Sequence, residues 1–593
     1  MTPALRIGNC SGFYGDRLSA MAELLAGSPA VDVITGDYLA ELTMLILGKD
    51  RMRDAGLGYA RTFVTQVEQS LGTALERGVR IVANAGGLNP AGLADRLREV
   101  ARGLGLDPVI AHVEGDDLLP RAADLGLEGA LTANAYLGGF GIAAALDAGA
   151  DVVVTGRVTD ASLVVGPAAS HFGWTPDDLD ALAGAVVAGH VIECGTQATG
   201  GNFSGFRALP RDGRGLGFPV AEVHADGSSV ITKQDDTAGL VNLDTVTAQL
   251  VYEIQDATYL NPDVSVDLTS VRLEQQGADR VAITGVRGAP PPARLKVCVN
   301  ELGGWRNAAE LVLTGLDIDA KADWVRAQVE AAWGEQRPAV VDWDLARTDR
   351  ADAETQEAAS ARLRCTVLDP APEPVGKPFT GALVALALGS YPGFTLTGPP
   401  AKPTPYGVYR AAYVDRDVVV HTVVHGDGRR EVIADRWVST GSTGEGPSTG
   451  EAPSTDEGPS SEPPGRSSGV ETPGPTTRLP LGTFVHARSG DKGGDANIGL
   501  WVSRTEATGA DQYAARHAWL RSLITPEQVR RLLPEAESLP IEVHDLPNLG
   551  AVNVLARGLL GQGVAASTRF DPQAKAVGEW LRARHVDIPE ELV

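Results

Sequence analysis

The chain has 593 residues, 43% hydrophobic and 21% charged, which is enough apolar material for several domains of ordinary globular composition. Its 76 acidic residues against 51 basic ones give a formal net charge of -25. That field repels a phosphate backbone and excludes nucleic acid as a partner. Cys10, Cys194, Cys298 and Cys365 stand far apart with no CxxC pair, so neither a disulfide framework nor a zinc site is indicated.

The first residues, MTPALRIGNCSG, lack the basic and apolar regions of a secretory signal. Apolar runs such as LTMLILG and GALVALALG are far shorter than the roughly 20 residues of a membrane span. A cytoplasmic protein with no membrane span is expected. The runs 4–9, 31–35, 79–84, 108–113 and 151–156 read as strands, with helical patterns over 16–27, 58–77, 90–104 and 139–149. This alternation predicts an α/β fold over about 1–200, a Rossmann-like parallel sheet with helices on both faces. From about 201 to 438, stretches such as AEVHADGSSVITK and DVVVHTVVHG read as hairpins of a more antiparallel subdomain.

Ligands of parallel sheets bind beyond the carboxyl ends of the strands. Each predicted strand ends in polar or glycine residues: Asn9, Cys10 and Ser11; Thr35, Gly36 and Asp37; Asn84, Gly86 and Gly87; Glu114 and Asp116; Thr155 and Arg157, with Asp160 close behind. Five such endings at one edge predict a shared crevice. The stretch 135–157 also suggests a nicotinamide cofactor site, but its G-G-x-G spacing is incomplete and no Tyr-x-x-x-Lys couple follows. A helix N-terminus near Gly138 and Gly139 that accepts a phosphate or carboxylate is the stronger expectation.

After the helical run DLDALAGAVVAGHVI comes ECGTQATGGNFSG (193–205), which offers almost nothing apolar to bury. Its glycines, Gly200 and Gly201 among them, permit close backbone approach, while Cys194, Thr196, Gln197 and Asn202 supply hydrogen-bonding tips. Glu193 is the group there able to transfer a proton, so this loop is expected to wall an active site. His112 and His190 lie beside the crevice as further acid–base candidates, whereas His421 and His425 read as structural strand residues. No metal site is expected.

From Ser439 to Arg478 only Ala452 and Val470 are apolar among repeats of Ser, Thr, Gly, Glu and Pro. Such a segment buries too little to offset ordering entropy and reads as a flexible linker with a reach of about 35 Å. Residues 479–593 then read as a small α+β domain. Its HARSGDKGGDANIGLW (486–501) reads as strand, glycine loop and strand, presenting Asp491, Lys492, Asp495 and Asn497 to an anionic ligand or to the body's crevice.

NAGGLNP (84–90), ANAYLGG (133–139), GADVVVTGRVTDASLVVGPA (149–168), ECGTQATGGNF (193–203), VYEIQDATYLNPDV (251–264) and ARSGDKGGDANIGLW (487–501) together resemble the acyclic terpene utilisation AtuA family. The resemblance runs over nearly the whole chain on both sides of the linker, which is longer and more repetitive than the family pattern requires. It implies that the C-terminal domain, 479–593, has a ferredoxin-like fold. It also implies a place in terpenoid catabolism: a lyase that cleaves a branched 3-hydroxyglutaryl-CoA-type thioester to acetate and a smaller acyl-CoA. The coenzyme A thioester is then part of the substrate, and no separate cofactor is expected. Such a cleavage needs a base for the 3-hydroxyl, for which Glu193 and Asp160 are candidates. Asn84, Asn202 and the glycine-rich backbone would hold the enolate, Arg157 or Lys492 would take a carboxylate or phosphate, and Cys194 stands with them as a catalytic candidate. Asn9, Ser11, Gly86, Gly87, Thr196 and Gln197 complete the expected wall. The alternative is a non-catalytic subunit that binds acyl-CoA or an acyl-CoA carboxylase; a homo-oligomer is expected in either case.

Limited proteolysis is expected to cut first between Ser439 and Arg478, as read by the masses of the fragments. A first cut inside 80–200 would show that the division is misplaced.

Overall fold

The five apolar runs form strands because each is a short stretch of branched residues closed by glycine or polar residues. They are β1 (Leu5–Asn9), β2 (Val33–Gly36), β3 (Arg80–Ala83), β4 (Ile110–Glu114) and, after an intervening strand β5 (Ala130–Ala135) not read from the sequence, β6 (Val152–Thr155). The structure, a computed structural model, describes residues 2–210, 212–438, 474–504 and 509–593. Of the expected linker, 439–473 lies outside the described residues. Its end does not: Thr476–Pro480 is a strand paired antiparallel with His585–Pro589.

β1, β2, β3, β6 and β4 pair parallel in that order, so their carboxyl ends share one edge. Side chains alternate between the faces with the period of two that a strand imposes. Ile34, Ile81, Val152 and Val154 pack with Leu24, Phe63, Leu71 and Leu97 of helices Ala20–Ala26, Arg61–Arg77 and Pro90–Gly103. Ile7, Val33, Val82 and Val153 pack with Ile142, Val165 and Val186 of helices Phe140–Asp147, Ser162–Phe172 and Leu179–Ile192.

The main sheet is mixed, which corrects the expectation of a purely parallel one. β7 (Pro219–Val223) pairs antiparallel with β1, and β8 (Ser229–Lys233), Arg280–Thr284 and Arg272–Gly277 extend that side. Thr422–Val424 and Arg430–Val432 continue beyond β4, giving an eleven-stranded sheet among the described residues. The hairpins read as a separate subdomain are edge strands of the same sheet. A parallel block leaves two rows of unpaired backbone groups, and antiparallel hairpins cover both.

The chain divides into two compact units, Met1–Asn300 with Tyr409–Val564 and Gln573–Val593, and Glu301–Val408 with Ala565–Pro572. In the second, Trp305 to Thr314 pairs antiparallel with Ser360–Asp369, which pairs in turn with Val340–Ala346. Helices Ile318–Trp333 and Lys377–Ala385 cover this sheet through Val325, Val329, Phe379 and Leu383.

The C-terminal domain, except Ala565–Pro572, falls within the first unit. Val485–Lys492, Asp495–Val502, Ala551–Ala556 and Ile541–Leu546 form a four-stranded antiparallel sheet in that order. SGDKGGDAN is therefore not an open glycine loop. Lys492 faces Asp495 in the ladder, and Gly493 and Gly494 alone make the two-residue turn. Trp501, Leu546, Leu549 and Ala551 join the apolar cluster of the main sheet. The Trp501 indole and the Ser503 hydroxyl both donate to the Asp244 carboxylate, at 3.3 and 2.6 Å. Among the described residues no helix is long and apolar enough to cross a membrane.

This shared core has a measurable consequence. Cutting the chain at a protease site inserted between 439 and 473 is expected to leave two fragments that co-elute in gel filtration. Trp501→Ala, which costs about 3–5 kcal/mol of buried aromatic packing, is expected to separate them.

Candidate active site

At the shared edge the strand ends carry buried polar groups that are satisfied mostly by one another. The Asn9 amide donates to the carbonyls of Ser11, Ile192 and Glu193, at 3.0, 2.8 and 2.9 Å. It thereby ties the end of β1 to the end of helix Leu179–Ile192. That helix is buried almost throughout because apolar residues surround its axis. Its continuation sets Glu193 at a helix C-terminus, where the dipole already disfavours a negative charge. Glu193 is 7% exposed and His190, one turn earlier, 2%. His190 Nδ1 and Glu193 Oε1 share a hydrogen bond of 3.0 Å, while Glu193 Oε2 has no hydrogen-bond partner among the described residues. Burial holds the His190 imidazole down at about 4, with the Lys492 ammonium acting in the same sense, so it is neutral. Burial also pushes the Glu193 carboxyl well above the usual range; Asp160 and Glu253 add to this, and Lys492 and Arg157 oppose it.

Asp37 follows β2 and behaves alike. Burial raises its carboxyl, the Asp160 charge raises it further, and Arg157 and the Asn84 amide oppose. The Asn84 side chain is spent on this neighbour: its amide donates to Asp37 Oδ1 at 2.6 Å and its oxygen accepts from Tyr38 N–H at 2.7 Å. Asn84 is thus a positioning residue, not the direct enolate contact expected from the sequence.

Arg157, at the end of β6, is the buried cation of the edge, 3% exposed. It donates to the Leu39 carbonyl at 3.1 Å and to Asp160 at 2.9 Å, and it lies 4.3 Å over the Tyr136 ring. Its own N–H and the Asn134 amide both donate to Asp116, at 2.8 Å each. Behind Tyr136, Lys296 faces the same ring at 5.0 Å and Glu41 at 3.8 Å. Burial works against ionisation of Glu41, yet Lys296, Arg157 and Lys492 hold its carboxyl down at about 2.

The C-terminal hairpin completes the cluster. Lys492 acts electrostatically on Glu193, His190 and Glu41, and Asp491 is raised to about 8 by burial, then by Glu253 and Glu41. Bare glycine backbone lets the hairpin come this close. A Cβ on Gly490 would strike the Tyr252 ring, on Gly493 the Tyr409 ring, and on Gly494 the Gly561 carbonyl. Arg488 lies 4.2 Å over Tyr252, bonds the Gln197 side chain and donates to the Asn202 carbonyl at 3.2 Å.

The structure thus brings Asp160, Glu193, Arg157 and Lys492 to one place, with Asn9 and Asn84 supporting them. Other expected site residues have other duties. Asn202 is exposed at a φ of 55°, and the group it offers Arg488 is its backbone carbonyl. Asp495 pairs with Arg557 at 2.8 Å and accepts from Gly558 N–H at 2.8 Å, which fixes the C-terminal sheet. Asn497 is fully buried, and its oxygen accepts from Glu253 N–H at 2.7 Å. The Ser11 hydroxyl donates to the Phe13 carbonyl at 2.9 Å. Gly86 and Gly87 sit in tight packing against Thr155, Pro90 and Leu47. Thr196 uses its carbonyl to close the turn at Gly201, and Gly200 takes a φ of 109° there. Burial raises the Cys194 thiol well above its usual value, with Glu253 and Glu193 next, so it is no ready nucleophile. At Gly138 and Gly139 the expected anion site is already filled, because Asp263 accepts from Gly139 N–H at 2.7 Å. A dinucleotide phosphate has no place there, which removes the basis for a nicotinamide cofactor.

Asp37, Glu41, Tyr136, Glu253, Lys296 and Arg488 were not singled out as site residues. Asp37 closes a strand, and Glu253 and Arg488 stand inside quoted motifs, so local signals existed; Glu41 and Lys296 had none. Among the described residues no group of His, Cys, Asp or Glu could hold a metal ion. A groove of about 640 Å³ lined by Arg98, Val109 and His425 lies at the opposite end of β4, away from this chemistry.

The chain belongs to the acyclic terpene utilisation AtuA family: the model of that family matches residues 5–425, and that of the AtuA ferredoxin-like domain matches 479–587. No curated protein and no solved structure matches the chain.

In the unfolded chain Glu193 ionises near the ordinary glutamate value, whereas in the fold it keeps its proton to higher pH. Its contribution to stability is complete at low pH and is lost as pH rises from the ordinary carboxylate range towards the folded value. Glu193→Gln removes that loss. The variant is expected to melt above the wild type at about pH 8, with the gap closing towards about pH 4. A variant that melts below the wild type at every pH would contradict the buried, protonated carboxyl.

Proposed function

We propose that this member of the AtuA family is an acid–base lyase for a carboxylated acyl-CoA thioester, breaking the carbon–carbon bond beside a 3-hydroxyl. The observation that carries this reading is the pairing of a buried carboxyl kept protonated, Glu193, with a carboxylate, Asp160, held by Arg157 at 2.9 Å. A carboxyl driven towards its protonated form, with a second one bonded to a guanidinium, supplies the two groups that acid–base cleavage needs.

In this reading Asp160 takes the proton of the 3-hydroxyl, and the carbon–oxygen bond becomes a carbonyl. The bond to the carboxymethyl carbon breaks, and its electron pair moves onto that carbon as the enediolate of acetate. A dianion of this kind needs cations beside it, and Arg157 and Lys492 are the candidates. Glu193 gives its proton to the carboxymethyl carbon, which releases acetate and leaves a 3-oxoacyl-CoA. Proton exchange between Asp160 and Glu193, directly or through water, restores the site. Neutral His190 orients the Glu193 carboxyl through their shared hydrogen bond. No separate cofactor is required, because every step is a proton transfer or a carbon–carbon cleavage.

The test is incubation of the full chain with a branched 3-hydroxyglutaryl-CoA, with acetate and 3-oxoacyl-CoA measured. Asp160→Asn and Glu193→Gln are each expected to lower kcat by about 10²–10⁴-fold, the usual worth of general acid–base catalysis. Lys492→Ala, and a chain ending at Val438, are expected to lose most of the activity as well. Tight binding without turnover would overturn the lyase and leave a binding subunit. Full activity without the C-terminal domain would remove Lys492 from the chemistry.

A further inference from the structure

The segment Val251–Ile254 leaves the end of helix Leu243–Leu250 in a conformation that its sequence does not favour. Glu253 has a φ of 55°. Of the described non-glycine residues at positive φ, all but Glu253 and Ala574 are Asn or Asp, whose short side chains tolerate it. A glutamate held there without a glycine's freedom marks a backbone that its surroundings impose.

Those surroundings belong to the C-terminal domain, residue by residue. Gly499 backs onto Val251 and Gly490 onto the Tyr252 ring, where a Cβ on either would clash. Asn497 Oδ1 accepts from Glu253 N–H at 2.7 Å, and Asn553 Nδ2 donates to the Ile254 carbonyl at 3.4 Å. The two asparagines are fully buried and bonded to each other. Two glycines and two asparagines thus clasp four consecutive residues. The Glu253 side chain itself is half-buried and joins no ion pair among the described residues.

We propose that Glu253 is a positioning residue of the active site, clasped by Asn497 and Asn553 of the C-terminal domain so that its carboxylate is held among the charged groups around Glu193. It rests on the reading of Glu193 as the proton donor and adds a reason for the C-terminal domain to be part of the enzyme. The groups facing Glu193 are His190 on its own helix, Asp37, Arg157 and Asp160 from the strand ends, Cys194 and Tyr259 beside it, and Glu253 and Lys492 from the clasp and hairpin. Glu253 ranks just behind Asp160 among the charges that raise Glu193. It acts in the same sense on Asp491, Cys194 and Tyr259.

The experiment is a double-mutant cycle on the full chain, with melting temperature followed between about pH 4 and pH 8. Glu253→Gln is expected to raise the melting temperature at about pH 8 by about 2 °C in the wild type and by much less in Glu193→Gln. The coupling should shrink as pH falls towards about pH 4, because it is an interaction of charge with charge. Glu253→Asp keeps the charge and should follow the wild-type pH dependence. Asn497→Ala releases the clasp and should weaken the coupling; it also supplies the comparison with wild type if Glu253→Gln does not fold. Equal effects of Glu253→Gln in the wild-type and Glu193→Gln backgrounds at every pH would overturn the proposal. Turnover of the branched 3-hydroxyglutaryl-CoA is measured on the same samples. Coupling without turnover overturns the lyase alone, whereas turnover that needs Glu193 but shows no coupling overturns the role of Glu253 alone.

Discussion

A guanidinium almost wholly removed from water organises this molecule. Burying the Arg157 charge at the carboxyl end of β6 is costly unless it is paired and hydrogen-bonded. The surroundings supply Asp160, the Leu39 carbonyl and the face of Tyr136. Those partners come from the ends of different strands and from the loops after them. The parallel order β1, β2, β3, β6, β4 is what lets them meet, because it puts every carboxyl end at one edge. Once Arg157 is fixed, more carboxyl groups gather around it than it can neutralise. Asp37 and Glu193 are driven towards their protonated forms, while Glu41, closest to Lys296 among them, stays ionised. The excess of carboxyl groups around one buried guanidinium is what drives Glu193 and Asp37 towards their protonated forms.

The C-terminal domain is bound into this arrangement through apolar and polar contacts alike. Trp501 enters the core of the main sheet, and the hairpin brings Lys492 to the carboxyl cluster. The glycines of SGDKGG have a steric reason: each lies where a side chain would collide with a tyrosine ring or a carbonyl. Charge and close approach thus work together, since Lys492 is carried on a hairpin whose glycines leave room for the tyrosine rings and the carbonyl packed against it. The clasp on Val251–Ile254 extends the same principle to the backbone, with buried amides in place of bare glycine.

Much of this was legible in the residues. ALRIGN and DVVVTG announce themselves as strands because branched residues end in glycine or polar side chains, and those endings lie at the edge where the charged groups gather. Glu193, Asp160, Arg157 and Lys492 stood out because proton-transferring or charged groups were set among glycines. The mixed character of the sheet was not legible. A hairpin pattern such as AEVHADGSSVITK fixes its own pairing but not the edge it will join. Asn84, Asp495 and Asn497 turn to protein neighbours for one shared reason. A polar residue beside glycines looks the same in sequence whether it faces a ligand or satisfies a buried neighbour, and here each satisfies a neighbour. Lys296 and Glu41 carried no local signal, because their meeting depends on chain segments more than two hundred positions apart.

The central claim is that Glu193 stands protonated beside Asp160 in a site closed by the C-terminal domain. Carbon-13 NMR titration of glutamate carboxyls in the full chain, with the Glu193 resonance assigned by its loss in Glu193→Gln, addresses it most directly. The account expects that resonance to keep its protonated shift well past the ordinary glutamate value of about 4.3, and to fall back towards it when the chain ends at Val438 with its strand ends still folded. A Glu193 carboxyl that titrates at the ordinary value in the full chain would contradict it.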